Sequence, residues 1–126
     1  NQQYPYSKSQ SYIYPKKLDL KKLNYVSQLF VGENNFFAFS KQDVNKNPNR
    51  KIYKSNWIRK RDFFEYTITG NSFLRNMVRN IVGVQIAYCE DKVSYEEISL
   101  NFINPKKASL NFVAPPHGLV LWNVNY

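Results

Sequence analysis

Two arginines, Arg75 and Arg79, stand four positions apart in NSFLRNMVRNIVG, residues 71–83, with Asn76 and Asn80 beside them. On an exposed helix, like charges at that spacing repel by a few tenths of a kcal/mol, about the size of a favourable pair. A guanidinium presents five donors in a planar fork matched to carboxylate or phosphate, and the two amides add further donors. The chemistry these residues can do is therefore to hold an anion.

At about 100° per residue, Val84, Met77, Tyr88, Ile81, Leu74, Val78 and Val82 fall on one arc of about 160°, a core face. Arg75, Arg79, Gly83, Asn76 and Asn80 fall on a separate arc of about 140°. Gly83, near the middle of that arc, leaves room for another backbone or for a ligand. An ordinary solvated helix face has the same composition, and the geometry of one helix does not separate the two readings.

The spacing predicts that this helix runs from about Ser72 to Tyr88. Residues 1–17 mix Tyr, Ser, Gln, Pro and Lys without a sustained period and read as an extended lead-in or linker, with a domain over 18–126. Asp19 can cap a first helix carrying Leu20, Leu23, Val26 and Phe30 at helical spacing, with Gly32 as its stop. GENNFFAFS reads as a short aromatic turn whose Phe36, Phe37 and Phe39 are core rather than base-stacking residues, and KQDVNKNPNR as a surface loop.

KIYKSNWIRK is a strand, and Phe64, Tyr66 and Ile68 alternate with Glu65 and Thr67 in a second, so the pair reads as a hairpin broken by Gly70 and Asn71. Ser94 and Glu97 form a capping box for a third helix that ends before Pro105. GLVLWNVNY is a last strand with Val120, Trp122, Val124 and Tyr126 on one side. This order predicts an α+β fold: an antiparallel sheet with helices packed on one face.

The 126 residues fit one domain, and 43% apolar content with 17% aromatic residues supplies a core. Eighteen Lys and Arg against nine Asp and Glu leave a formal charge of +9, which favours an anionic partner. Cys89 stands alone, so an internal disulfide is excluded, and with His117 the only histidine the spacing of a zinc site is missing. No metal and no membrane partner is expected. No apolar run reaches the ~18 residues of a membrane span and the first residues lack a signal-peptide layout, so the expectation is a cytoplasmic protein. The start without Met and the stop at Tyr126 within an apolar alternation suggest a piece of a longer chain.

Three stretches in this order and spacing, LFVGENNFFAF, NSFLRNMVRNIVG and APPHGLVLWNVNY, resemble the C-terminal half of the tRNA pseudouridine synthase A family. The likeness covers well over three quarters of the chain and implies a ferredoxin-like half whose first strand is cut short. It also implies isomerisation of uridine to pseudouridine in the anticodon arm of tRNA, by an aspartate nucleophile, without a cofactor. That aspartate lies in an Arg-Thr-Asp run of the family's N-terminal half, and this chain has none: its aspartates are Asp19, Asp43, Asp62 and Asp91. The family's active-site tyrosine falls just before residue 1, and Tyr4 and Tyr6 do not replace it.

By resemblance, Arg79 in MVRN matches the arginine that pairs with the catalytic aspartate, and Leu119 in HGLVL matches the leucine that lies against the target base. Arg75 and Asn80 are candidate substrate contacts, Arg75 through an RNA phosphate unless it is simply a solvated neighbour, and His117 has no assignment. The implied partners are tRNA, the protein's own N-terminal domain and a second copy in a homodimer. The fragment alone is expected to be inactive.

Basic clusters at Lys16-Lys17, Lys21-Lys22, Arg59-Lys60-Arg61 and Lys106-Lys107 suggest a phosphate-tracking surface, with the turn residues Arg59, Lys60 and Arg61 as the preferred contact. The alternative is a non-catalytic RNA-binding module of ferredoxin-like fold, although FFEYTIT lacks the glycines of the usual aromatic strand signature. A bare dimerisation domain explains neither the charge nor the Arg79 face.

Overall fold

The computed structural model describes residues 7–16, 18–41, 46–105, 112–115 and 118–122, the last four of these by their backbone. Five strands form one sheet: β1 (Lys8–Tyr14), β2 (Gly32–Asn35), β3 (Asn49–Arg59), β4 (Phe64–Gly70) and β5 (Leu119–Trp122). They lie in the order β2-β3-β4-β1-β5, and every pair is antiparallel. The helices are α1 (Leu20–Ser27), α2 (Met77–Cys89) and α3 (Tyr95–Ile103). This is the α+β sheet the residue patterns predict.

Both predicted caps form. The Asp19 carboxylate accepts from the N–H groups of Lys21 and Lys22 at 3.0 and 3.2 Å, satisfying donors that the first turn of α1 leaves without partners. Ser94 and Glu97 close a reciprocal capping box on α3, which ends at Ile103.

Two expectations fail, each for a physical reason. Residues 8–14 belong to no lead-in: β1 pairs with β4 along seven residues and with β5 along four. Its pattern hides it because one face carries Ser9 and Ser11, which share hydrogen bonds with Thr69 (2.8 Å) and Thr67 (3.4 Å) across the ladder. A strand paired through hydroxyls shows no apolar period. Helix α2 starts at Met77, not at Ser72, because Asn76 adopts a left-handed conformation with φ 62°. Asparagine tolerates that region better than most residues, and a helix cannot run through it. Leu74 and Arg75 therefore precede the helix, and the two arginines are not neighbours on one helical face.

Smaller differences follow from pairing. GENNFFAFS supplies the edge strand β2 before its turn, Phe37–Phe39, and Gly70 is still part of β4, opposite Lys8 and Ile52. Residues 42–45, and 123–126 of the last strand pattern, lie outside the described residues.

The sheet face that carries Trp57 and Tyr66 is covered by α1 and α2. Asn24 of α1 brackets the Trp57 backbone, donating to its carbonyl at 3.0 Å and accepting from its N–H at 2.8 Å. Gln85 of α2 accepts from the Trp57 indole N–H at 2.9 Å and donates to the Ile81 carbonyl at 3.2 Å, so a buried amide is satisfied at both ends. Phe30, Phe36, Phe39 and Phe102 pack ring against ring at one end of this core, with centroids 4.8–6.2 Å apart.

Burial holds the Tyr66 phenol well above its ordinary value of 10.0, against the opposing pull of hydrogen bonds with Ser55 and Gln85. A folded chain that keeps a proton the unfolded chain releases is fully stabilised below about pH 10 and loses that stability as the pH rises further. Tyr12, Tyr14 and Cys89 are shifted upward by burial as well. We therefore expect the urea midpoint to fall above pH 10, and Tyr66→Phe to have a shallower fall than wild type. An equal slope in the two proteins removes Tyr66 from the effect.

Candidate active-site cleft

The left-handed turn at Asn76 delivers α2 with Arg79 in its first turn. Arg79 is half-buried and fixed from two directions. Its Nε donates to the Ala114 carbonyl at 2.9 Å, and one terminal nitrogen donates to the Asn76 side-chain oxygen at 3.3 Å. Its own carbonyl accepts from the Ala114 N–H at 3.0 Å. Among the described residues the other three N–H groups of the fork meet no acceptor, and no carboxylate forms an ion pair with it.

The segment 112–115 reaches Arg79 because Gly83 lets it. A Cβ on Gly83 would stand 2.3 Å from the Phe112 carbonyl oxygen and 2.9 Å from the Ala114 nitrogen. The glycine that opens the polar arc thus admits another backbone, one of the two occupants the sequence allows. Tyr12 completes the support: its hydroxyl donates to the Pro115 carbonyl at 2.7 Å, and Gly118 lies so close to its ring that a Cβ there would meet Cζ at 2.7 Å. Burial raises the Tyr12 phenol, and the nearby Arg79 charge opposes that rise.

Arg79 lines a cavity of about 210 Å³ together with Arg75, Asn76, Gln10 of β1 and the apolar residues Phe73, Leu74, Met77 and Val78. The two arginines do meet, although by a turn rather than along a helix. None of the described lining residues is acidic. Asp19 caps α1, Asp62 and Asp91 sit exposed in turns, and Asp43 lies outside the described residues. The cavity therefore offers two cationic forks and the side-chain amides of Asn76 and Gln10 to an anion that the described chain does not itself supply.

The remaining candidates scatter. Leu119 stands opposite Tyr12 in the β1–β5 register, one residue pair beyond Ser11 and Val120 and two beyond Gln10 and Leu121. That register brings its backbone to the strand that lines the cavity. Asn80 is half-buried, gives its backbone N–H to the Asn76 carbonyl at 3.0 Å, and does not line the cavity. Arg59, Lys60 and Arg61 are exposed at the β3–β4 turn, at the far end of the hairpin from Gln10. Gln10 is level with Ile68 and the turn closes at Phe64, about 13 Å away along the strand at ~3.3 Å per residue. His117 lies outside the described residues.

Sequence patterns give no sign of Gln10, Tyr12 or the Ala114 carbonyl. The first two sit in the strand that reads as a linker, and a backbone carbonyl carries no residue signature. A larger cavity of about 490 Å³ is bordered by 112–115 and lined by Tyr12, Tyr14, Ile86 and Phe112 with Glu90 and Lys92 also present; neither arginine is among its described lining residues. No group of three or more His, Cys, Asp or Glu side chains assembles among the described residues, and no described helix is long and apolar enough to cross a membrane.

FFEYTIT points inward. Phe64 and Tyr66 are 3% and 0% exposed, whereas a base-stacking sheet needs its aromatics open to solvent.

Residues 26–126 match a family model described as tRNA pseudouridine synthase. Among curated relatives, a tRNA pseudouridine synthase A of Malacoplasma penetrans is 40% identical over 115 residues, and one of Ureaplasma urealyticum is 38% identical over 117. A third, from a Geobacillus species, is 37% identical over 117 residues. Each alignment covers 91% of this chain and 47% of the relative, so the chain spans about half the length of these proteins.

Replacing Gly83 by alanine should displace 112–115 from α2. Alanine's helix propensity offsets up to about 1 kcal/mol, while overpacking against backbone costs about 1–3 kcal/mol. We expect a lower denaturation midpoint for Gly83→Ala; an unchanged or raised midpoint would show that 112–115 does not rest on this glycine.

Proposed function

The chain belongs to the tRNA pseudouridine synthase family, and we propose that it is the half of such an enzyme that steadies the nucleophile and helps to enclose the target uridine. The observation that carries this reading is the anchored Arg79 guanidinium, with three N–H groups that no described residue accepts, in a cavity to which no described residue brings a carboxylate. A carboxylate brought by the N-terminal half would meet a charge-assisted, two-point contact there, which favours its ionised form. An ionised carboxylate is what nucleophilic attack requires.

The reaction converts a glycosidic carbon–nitrogen bond into a carbon–carbon bond to the same sugar, with the base turned between the two steps. The uridine has to leave its stack, and a flipped base needs an apolar surface to pack on. Leu119, opposite Tyr12 in register, is our candidate for that surface. Arg75 adds a second cation, suited to a phosphate of the flipped nucleotide. The anticodon arm of tRNA as substrate, a homodimer as the working assembly and a cytoplasmic location complete the reading; a net charge of +9 suits a polyanionic partner. The exposed cluster Arg59, Lys60 and Arg61 serves in it as a more distant phosphate contact, well removed from the reacting base.

In the full-length enzyme, Arg79→Ala should lower turnover by about 10²-fold or more, the scale of a lost charge-stabilising group, and leave tRNA affinity within a few fold. Near-normal turnover in that variant removes Arg79 from the reaction. The 126-residue chain alone, mixed with tRNA, should bind weakly, release it as salt rises and form no pseudouridine. Product from the chain alone would mean that the nucleophile lies within it.

A further inference from the structure

Next to the Arg79 cavity lies a second one of about 340 Å³, lined by Phe37, Ser40, Lys41, Lys46, Pro48, Leu74 and Arg75. Leu74 and Arg75 line both cavities, so the two are neighbours across a shared wall. Three cations converge on the second cavity and none of its described lining residues is acidic. Among the described residues, none of Lys41, Lys46 and Arg75 forms an ion pair. Like charges gathered without a counter-charge among the described residues repel, and an anion from outside relieves them.

The frame around these cations is fixed. The Lys41 N–H donates to the Arg75 carbonyl at 2.8 Å, tying the segment after β2 to the turn before α2. Phe37 gives its N–H to the Asn35 side-chain oxygen at 2.9 Å, and its carbonyl accepts from the Ser40 hydroxyl at 3.0 Å. Its neighbours Phe36 and Phe39 are buried in the core, at 0% and 1% exposure, while Phe37 is only half-buried and lines the cavity. The FFAF run thus sends two rings inward and leaves one at a cationic opening. A phosphate site beside an accessible aromatic face is the pairing that single-stranded nucleic acid uses, and the volume lies within the range of small-ligand sites, about 300–1,000 Å³.

We propose that this cavity receives the nucleotide adjoining the reacting uridine on the same RNA strand, with its phosphate on Lys41, Lys46 and Arg75 and its base against Phe37. This rests on the reading of the Arg79 cavity as the reaction site. Because Arg75 belongs to both cavities, the strand is held immediately beside the position where the target base must leave the stack. Lys41, Lys46 and Phe37 act on substrate capture, not on the bond-making steps.

The test measures KM, kcat and the salt dependence of tRNA binding in the full-length enzyme for Lys41→Ala, Lys46→Ala and Phe37→Leu. Lys92→Ala removes the same charge at a turn beyond the far end of α2 and serves as the comparison. Each lysine variant should raise KM by about five- to tenfold, keep kcat within about twofold, and flatten the slope of log K against log salt by about 0.7, the contribution of one single-strand phosphate. Phe37→Leu should raise KM by a similar factor without changing the salt slope, as loss of stacking predicts.

Unchanged KM and slope in the lysine variants, or the same changes in Lys92→Ala, overturn the proposal, the second because net charge would then suffice. Both lysines are exposed, so those variants decide the matter even if Phe37→Leu does not fold. Loss of turnover in Arg79→Ala together with no change in these variants removes this inference alone. Wild-type protein that makes no pseudouridine removes the reading of the reaction site and this inference with it.

Discussion

The contact on which the site depends is the double tie between Arg79 and Ala114. One hydrogen bond runs from the guanidinium to the Ala114 carbonyl and one from the Ala114 N–H to the Arg79 carbonyl. A long side chain loses about 1.5–2 kcal/mol of rotamer entropy when it is fixed, and few arginines at a surface meet that cost for an exposed ion pair. Here it is met within the chain itself, through a neutral backbone acceptor, and no described carboxylate compensates the charge. Fixing the cation in advance is what a site needs if its task is to stabilise an anion without reorganising.

The surrounding features support that tie. Gly83 allows 112–115 to lie on α2, Tyr12 holds Pro115 from the sheet side, and Gly118 fits under the Tyr12 ring. Gln85 locks α2 to Trp57, so the helix that carries Arg79 has a fixed position over the sheet. Two close approaches requiring glycine and one buried amide therefore set where a single charge stands.

Where structure follows from local chemistry, the sequence displays it. The Asp19 cap, the Ser94 and Glu97 box and the β3–β4 hairpin each depend on residues a few positions apart, and each forms as its residues dictate. Arg79 was identifiable by its place in a motif. Its partners were not, because Ala114 contributes only backbone and Tyr12 sits in a strand whose hydroxyl pairs mask its period. The start of α2 was hidden for another reason: Asn76 has unremarkable helix-compatible neighbours, and only its φ of 62° reveals the break. Lys41 and Lys46 look like loop lysines until the fold brings Arg75 beside them.

Arg79 and Ala114 are 35 positions apart, with all of α3 between them. During synthesis the helix bearing the arginine leaves the ribosome well before the carbonyl that aims it, and domains fold as units only when their closing segment is available. A nascent chain thus carries the Arg79 charge before it carries the backbone acceptor that orients it. The charge and its orientation are separated in time by the order in which the polypeptide is made.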